Sequence, residues 1–490
     1  LGLTNASLEF ELGPSPYAAG SDQISALGVT AGGINTLKVR PLSLLDTANP
    51  YTLIINGGTP MPSGTETNFT ITTDSRYSFV VLPTDAGLGY TLQVQASGTP
   101  SALLTWQGAD PVNPSFWDLK TTANWLNGVA VDTFYAGDTV VFDDTAVSTT
   151  VSLVGALDPS SVVFNNASKA ITLTGAGSLV TAGLGVEGGG TATLANTSAN
   201  KFVYGITNNA GNLVIANNAL NDYGLGIAIN GGKVVLDQPL PVTLSAPLSG
   251  AGTLEKANTN TLTISAANTG FGGSFTVNNG ILRTANGSAL GDTSGQTTIQ
   301  SGGTLDVNGL NLGNEIVNAQ GAGFGGLGAI INTGGGQNNA LHDVVLTGDT
   351  TFGGPNRWDI RSASMTPAGT LTMQGGSPFN LAKVSGSQFS LVNVAVDSAL
   401  ADIDVQGGVF SYEAGTTGLG NPANTLTLRS NTTLLIWSST VPLDKRIALE
   451  NSSTVRAGSG TGNQVIGPVN LLGGKANLGA ASACTLYFFG

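Results

Sequence analysis

Charge and reactive side chains are what this sequence has least of. Of its 490 residues only 10% are charged, one is a histidine and one is a cysteine. A lone Cys484 excludes an internal disulfide framework, so an exported protein of this kind must draw its stability from repeated backbone ladders. One His and one Cys cannot supply the three or four nitrogen and sulfur ligands of a zinc site. Lys and Arg total 17, form no basic run and stand against 30 Asp and Glu, for a net charge of −13, which argues against nucleic acid and polyanions as partners. No run of eighteen apolar residues passes without Gly, Ser, Thr or Asn, so no spanning helix is expected; barrel strands give too weak a signal per segment to exclude. The sequence begins at Leu1 without Met or a signal peptide, and the expectation is a processed mature chain or a piece of a longer one.

Helix-forming patterns are equally scarce, while 70 residues are glycine and 41% are hydrophobic, mostly aliphatic. Short β-rich runs closed by Gly, Asn or Asp dominate: TLKVRPL, YTLIING, FTITT, TVVFDD, ITLTG, KVVLD, TLTIS, TLDVNG, TLTLRS. A Gly-x-Leu/Val element recurs at Gly211, Gly232, Gly252, Gly280 and Gly303, so successive positions differ by 21, 20, 28 and 23. A shift of 69 residues superposes Thr207 on Thr276, Gly211 on Gly280, Leu213 on Leu282 and Ala216 on Ala285, and reads as about three coils. Short strands at such a period, without helices, predict an all-β parallel β-helix, or β-solenoid. Leu254, Leu262, Ile264 and Leu282 are placed in its narrow interior, Gly280 at a left-handed corner, and Thr and Asn outside. Roughly 17 coils at ~4.8 Å each would make a rod of about 80 Å.

Three regions are expected. Residues 1–98 carry longer strands and form a β-rich module; 99–160, with Trp106, Trp117 and Trp125, form an opening or capping module; 161–490 form the repeat array. The three tryptophans read as a buried cap, with sugar stacking as the alternative.

The stretch GAGTLEKANTNTLTISAANTGFGGSFTVNNGILRTANGSALG resembles the autotransporter-associated β-strand repeat of large bacterial surface proteins. Lys256, Leu262, Asn268, Gly273, Gly280, Leu282 and Gly291 hold the pattern's places, while Phe271 stands where Tyr is usual and Asn260 where Gly is usual. WQGADP, NWLNG and GDTVVFDDTA are similar to the module that opens such arrays, and LEFELG with YTLIINGG to the one that closes them. The resemblance implies an extracellular or cell-surface protein. A closing module that precedes an opening one implies either a segment of a tandem protein or subunits that complete one another's arrays. No segment resembles the family's translocating barrel.

Candidate chemistry is thin, and the expectation is a non-enzymatic protein with no catalytic, cofactor or metal residues. His342 beside Asp343 reads as a surface turn residue rather than a triad member. Gly321–Gly326, GAGFGG, formally matches a pyrophosphate loop but precedes no helical pattern, so it reads as a coil corner. Asp143 and Asp144 read as solvated turn residues, with a calcium site as the alternative. The densest charged cluster, Arg357, Asp359 and Arg361, reads as an outward salt-bridged turn and is also the first place to look for carbohydrate chemistry, the alternative function of a degradative or glycan-binding β-helix. Surface glycans are the other candidate partner. The leading function is a structural rod, fibre subunit or adhesin stalk that associates head to tail, with the apolar end Cys484, Thr485, Leu486, Tyr487, Phe488, Phe489 as a strand that docks into a neighbour.

Overall fold

The computed structural model describes all residues except 17–20, 42–44, 60–63, 83–90, 100, 217–220, 363–367 and 490. Among the described residues the only helical elements are three single-turn 3-10 segments. The chain forms two compact units, Leu1–Gly205 and Ile206–Gly490. Parallel strands wind into solenoid turns in both, about 16 in total, so the parallel β-helix expected from the sequence is the observed fold.

In the first unit, Ser7–Leu12, Asn35–Pro41 and Phe69–Thr73 pair in parallel. Thr91–Ser97 closes the module by running antiparallel to Tyr51–Thr59 and to Ser78–Val81. Phe10, Leu37, Tyr51, Leu53, Leu92 and Val94 form its core. Regular turns begin at Leu103–Trp106, which lies antiparallel to Trp125–Asn127 on one side and parallel to Thr139–Phe142 on the other. Each further turn supplies three short strands. Thr139–Phe142, Ser161–Phe164 and Leu184–Val186 stack in one sheet, and Thr150–Leu153, Ala170–Thr174 and Thr191–Leu194 in the next. Ala156–Leu157, Ser178–Thr181 and Lys201–Phe202 stand at the third face. Burial alternates along these strands, with Val140, Phe142, Val162 and Phe164 fully enclosed and the residues between them turned to solvent.

A buried ion pair joins the module to the first turns within this unit. Arg76 donates from Nε to Asp138 Oδ1 at 2.6 Å and from Nη2 to Oδ2 at 2.9 Å. Asp138 is fully buried and also accepts from the backbone N–H of Ala102 and Tyr135, so its lone pairs are well matched. The Arg76 guanidinium lies 4.6 Å from the centre of the Tyr135 ring and pairs with Asp132 at 2.9 Å.

In the second unit successive turns stack in a close register. Ile227 sits beside Leu248, Lys233 beside Thr253, and Val242 beside Leu262. Leu254, Leu262, Ile264 and Leu282 are all at most 2% exposed, in the interior as expected. The 69-residue shift, however, is not the stacking register. Thr207 stacks on Ala228, Ser249 and then Gly270, so three turns end at Gly270, short of Thr276, which belongs to a different sheet. The five Gly-x-Leu elements fall at two corners of the coil. Gly211, Gly232 and Gly252 form one column, where each carbonyl accepts from the residue after the next glycine, and Gly280 pairs with Gly303 in another. The wide gap between Gly252 and Gly280 is the step from one corner to the other.

Gly280 does take a left-handed conformation, φ 70°, and a β-carbon there would come within 2.3 Å of the Asn260 carbonyl oxygen. Packing in so narrow an interior leaves little room to relax. Leu262→Ala should therefore lower the unfolding free energy by about 2–5 kcal/mol, while Thr263→Ala, on the outward side of the same strand, should change it by less than about 0.5 kcal/mol; urea denaturation followed by circular dichroism measures both.

Candidate functional site

Many of the polar groups that the interior encloses lie at coil corners or at the strand ends that meet them. Asn166, Asn196, Asn208, Asn268, Asn332 and Asn463 are all at most 1% exposed, against the expectation that Asn faces solvent. Each side-chain amide donates to a backbone carbonyl, and those of Asn268, Asn332 and Asn463 also accept from backbone N–H groups. Asn268 Oδ1 accepts from Leu248 N–H in the turn before, and its Nδ2 donates to the Ala289 carbonyl in the turn after. Asn463 works in the same way, accepting from Ser439 N–H and donating to Ser459, Gly460 and Thr485 carbonyls. An amide, with donor and acceptor at one tip, fits a corner better than any apolar side chain.

Three lysines do related work. Lys256 occupies an inward strand position, and its ammonium reaches the carbonyl of Asn258, Asn260 Oδ1 at 2.8 Å and the Asn279 carbonyl at 3.0 Å. Lys383 donates to the carbonyls of Ser385, Ser387 and Gly407, and Lys445 to those of Ala401 and Asn421. Each is at most 2% exposed, and burial lowers each to a pKa of about 8. Glu315 is the acidic counterpart: burial, reinforced by the nearby Asp292 charge, raises it to about 7, while Thr297 Oγ1 donates to it at 2.7 Å. The sequence resemblance marked Lys256 but not its burial; Lys383, Lys445 and Glu315 gave no signal, since a polar residue in a periodic pattern reads as outward.

The other candidates are local. His342 lies in a bend with Nδ1 at 2.8 Å from Asp343 Oδ2, and Asp343 accepts from Thr370 Oγ1, so the pair belongs to the surface of the turn. Gly321–Gly326 joins strand Ile316–Gly321 to a 3-10 turn and then to Ile330–Ile331, a coil corner with no helix to meet a phosphate. Asp144 accepts from the backbone N–H of Ala167, Ser168 and Lys169, which hold its carboxyl below the usual range, and Asp143 caps Thr145. Among the described residues no three His, Cys, Asp or Glu side chains gather as a metal site.

Trp106, Trp117 and Trp125 are at most 1% exposed and pack edge to face with one another and with Phe134 and Phe142, so no ring face is open to a sugar. Arg357, Asp359 and Arg361 are not on a turn but on and beside strand Trp358–Arg361. Asp359 is fully buried, accepts from Arg357 at 2.8 Å and from Arg361 at 2.9 Å, and both arginines also reach Glu413, at 3.4 and 3.8 Å. The hydrogen bonds to Asp359 hold Arg357 even more firmly protonated than usual. With two carboxylates bridged by two guanidiniums, the cluster is an ion-pair network on the outward face of a sheet, not a matched acid and base.

A separate open groove is lined by Asp349, Asn380, Asp402, Asp404, Thr425 and Arg429. Its three aspartates are engaged: Asp349 accepts from Asn380 N–H, Asp402 from Thr425 N–H, and Asp404 from Arg429 at 2.8 Å.

The last turn differs from all of these. Leu486–Phe488 is already paired in register with Asn463–Val465 of its own chain, so it is not a free strand. Among the described residues its other edge has no partner strand, nor have those of Val469–Leu471 and Asn477–Ala480, and Leu471, Leu472, Leu478, Tyr487 and Phe489 are 47–67% exposed. Cys484 is free and half-buried.

Searches against protein-family models, curated proteins and solved structures found no match to this chain. Among the described residues no helix is long and apolar enough to cross a membrane.

The buried groups give two opposite pH dependences. The folded state keeps the Glu315 proton to about pH 7, whereas the unfolded chain releases it near 4.3, so stability should fall by on the order of 3 kcal/mol as pH rises across that window, and Glu315→Gln should remove the slope. For Lys256, Lys383 and Lys445 the unfolded chain holds the proton to ~10.4 and the folded state only to about 8, so stability should rise between those values. Urea midpoints measured from pH 5 to 10 check both signs. In the first unit, Arg76→Ala leaves the Asp138 carboxylate buried and unpaired, and should destabilise by ~3–5 kcal/mol in the same assay.

Proposed function

We propose that this chain is a non-enzymatic structural protein of the bacterial cell surface, a β-solenoid spacer or fibre subunit that associates head to tail. The observation that carries the reading is the last turn, where ladder edges and inward-type apolar residues lie uncovered together. Strand Arg446–Leu449 buries three of its four residues, whereas Asn477–Ala480 leaves all four exposed, since residues 1–490 supply no further turn to stack on it. Unpaired N–H and C=O groups beside exposed Leu471 and Leu478 make this edge a template for another solenoid turn. A second copy supplies that turn in the proposed assembly, by stacking edge to edge rather than by accepting Cys484–Phe489 as a loose strand.

Three further observations support the reading. The repeat resembles autotransporter-associated surface proteins, and an exported protein with one cysteine gains rigidity from stacked ladders instead of disulfides. Side chains capable of acid-base chemistry are engaged in ion pairs or backbone caps wherever they gather, as at Asp359 with Glu413 and at Asp349, Asp402 and Asp404. The outward strand positions are largely Thr, Ser and Asn, which suit a solvated surface that is displayed.

Light scattering after size exclusion, on residues 1–490, is expected to give a mass that grows with concentration. Deleting residues 481–490 removes one strand but bares the one beneath, so the decisive variant carries Leu471→Lys and Leu478→Lys, which place charge on the stacking face. That variant should run as a monomer with an unchanged circular dichroism spectrum. An unchanged mass distribution sinks the proposal.

A further inference from the structure

Trp437 stands apart from the other tryptophans. Trp106, Trp117, Trp125 and Trp358 are at most 1% exposed, whereas Trp437 is 45% exposed. It ends strand Thr433–Trp437, where Leu434 and Ile436 face the interior and Trp437 faces out. The register slips at this point, since Ile436 pairs with Ala457 and Trp437 with Ser459, which leaves Gly458 as an extra residue beneath the ring. A β-carbon at Gly458 would lie 2.7 Å from Trp437 Cε3 and 2.8 Å from Leu435 Cδ1. A bulge and a glycine thus seat the indole against the sheet with its other face toward solvent.

The surroundings of that ring are polar. On one side its ladder partner is Glu413, which is held by Arg357, Arg361 and Ser411 Oγ. Arg361 Nε is shielded from solvent and has no hydrogen-bond partner among the described residues. On the other side Arg456 projects outward, beside Leu435 in the ladder, exposed and without an ion-pair or hydrogen-bond partner among the described residues. Three arginines against two carboxylates make this patch locally cationic on a chain of net charge −13. Leu435 is only 5% exposed, so Trp437 has no apolar rim such as a protein-docking patch would need.

We propose that Trp437 and Arg456, beside the pair of Arg361 with the buried Glu413, form a binding subsite for a carboxylated sugar of one or two rings. A pyranose offers a flat C–H face to stack on the indole, while its carboxylate matches the Arg456 guanidinium, which has no partner among the described residues. The overall negative charge disfavours long polyanions, which limits the ligand to a unit small enough to stay within the cationic patch. This subsite is independent of the end-to-end association, since it lies on an outward sheet face and not on the last turn's open edge.

Because the other four tryptophans are enclosed, acrylamide quenching of intrinsic fluorescence reports on Trp437. Titrating the 1–490 chain with digalacturonate at low salt is expected to give saturable protection from acrylamide. Cellobiose, the same size without carboxylates, and succinate, carboxylates without a ring, should each bind at least about tenfold more weakly. Isothermal calorimetry should show digalacturonate binding lost in Trp437→Leu and weakened at least about tenfold in Arg456→Gln, a substitution of an exposed residue that leaves the fold intact. Absence of saturable protection overturns the proposal, as does equal binding of succinate, equal binding of cellobiose, or unchanged affinity in Arg456→Gln.

Discussion

A solenoid turn must change direction, and every change breaks the hydrogen-bond ladder. Between strands, ladder bonds hold N–H and C=O groups at no cost in side-chain chemistry. At a corner those groups turn inward with no strand beside them, and a buried unpaired backbone group costs as much as a lost hydrogen bond. The chain answers with asparagines whose amides bridge successive turns, as Asn268 does between Leu248 and Ala289. Where several carbonyls converge, a lysine meets them instead, since an ammonium offers three donors and accepts nothing, as Lys383 does among Ser385, Ser387 and Gly407. Glycine serves where the backbone itself must turn left, and at Gly280 the neighbouring carbonyls leave no room for a side chain.

This division of labour explains the composition. Aliphatic side chains fill the inward strand positions, because a coil of three short strands is too narrow for many aromatics. Aromatic residues gather where the regularity lapses. Trp106, Trp117 and Trp125 pack together where an antiparallel pair starts the turns, and Phe352, Trp358 and Phe389 pack together where the coil lengthens. The turn that carries Trp358 round to its ladder partner Phe389 is visibly longer than the one from Lys233 to Thr253, and larger side chains occupy the wider section.

What the sequence made legible follows from the same logic. Alternation identified Leu254, Leu262, Ile264 and Leu282 as interior, because burial on a strand has period two and nothing else competes with it. The turn length was present in the spacing of Gly211, Gly232 and Gly252. The 69-residue shift misled because the two corners use the same Gly-x-Leu chemistry, so an alignment by residue type slid from one corner to the other. Asn268 and Lys256 were placed by resemblance but not in depth, since linear hydropathy assigns polar residues to the outside and a corner inverts that rule. Asp359 was read in a turn, whereas alternation of Trp358 and Ile360 inward puts it on the outer face of a strand, where flanking arginines bury it.

Filling the interior and committing the corners leaves two places where residues are free to do something else. One is the end of a stack, where ladder edges lack a partner. The other is the outward face, where a residue contributes little to stability and can be exchanged without disturbing the coil. On that face the structure makes an investment that packing does not explain: a register slip at Ile436–Trp437, a glycine under the ring and an unpaired arginine beside it. A bulge weakens a ladder, and an exposed indole gains less from burial than it would inside. The departure is therefore a feature of the surface and not of the coil, which is why the proposed subsite is placed on the outward face.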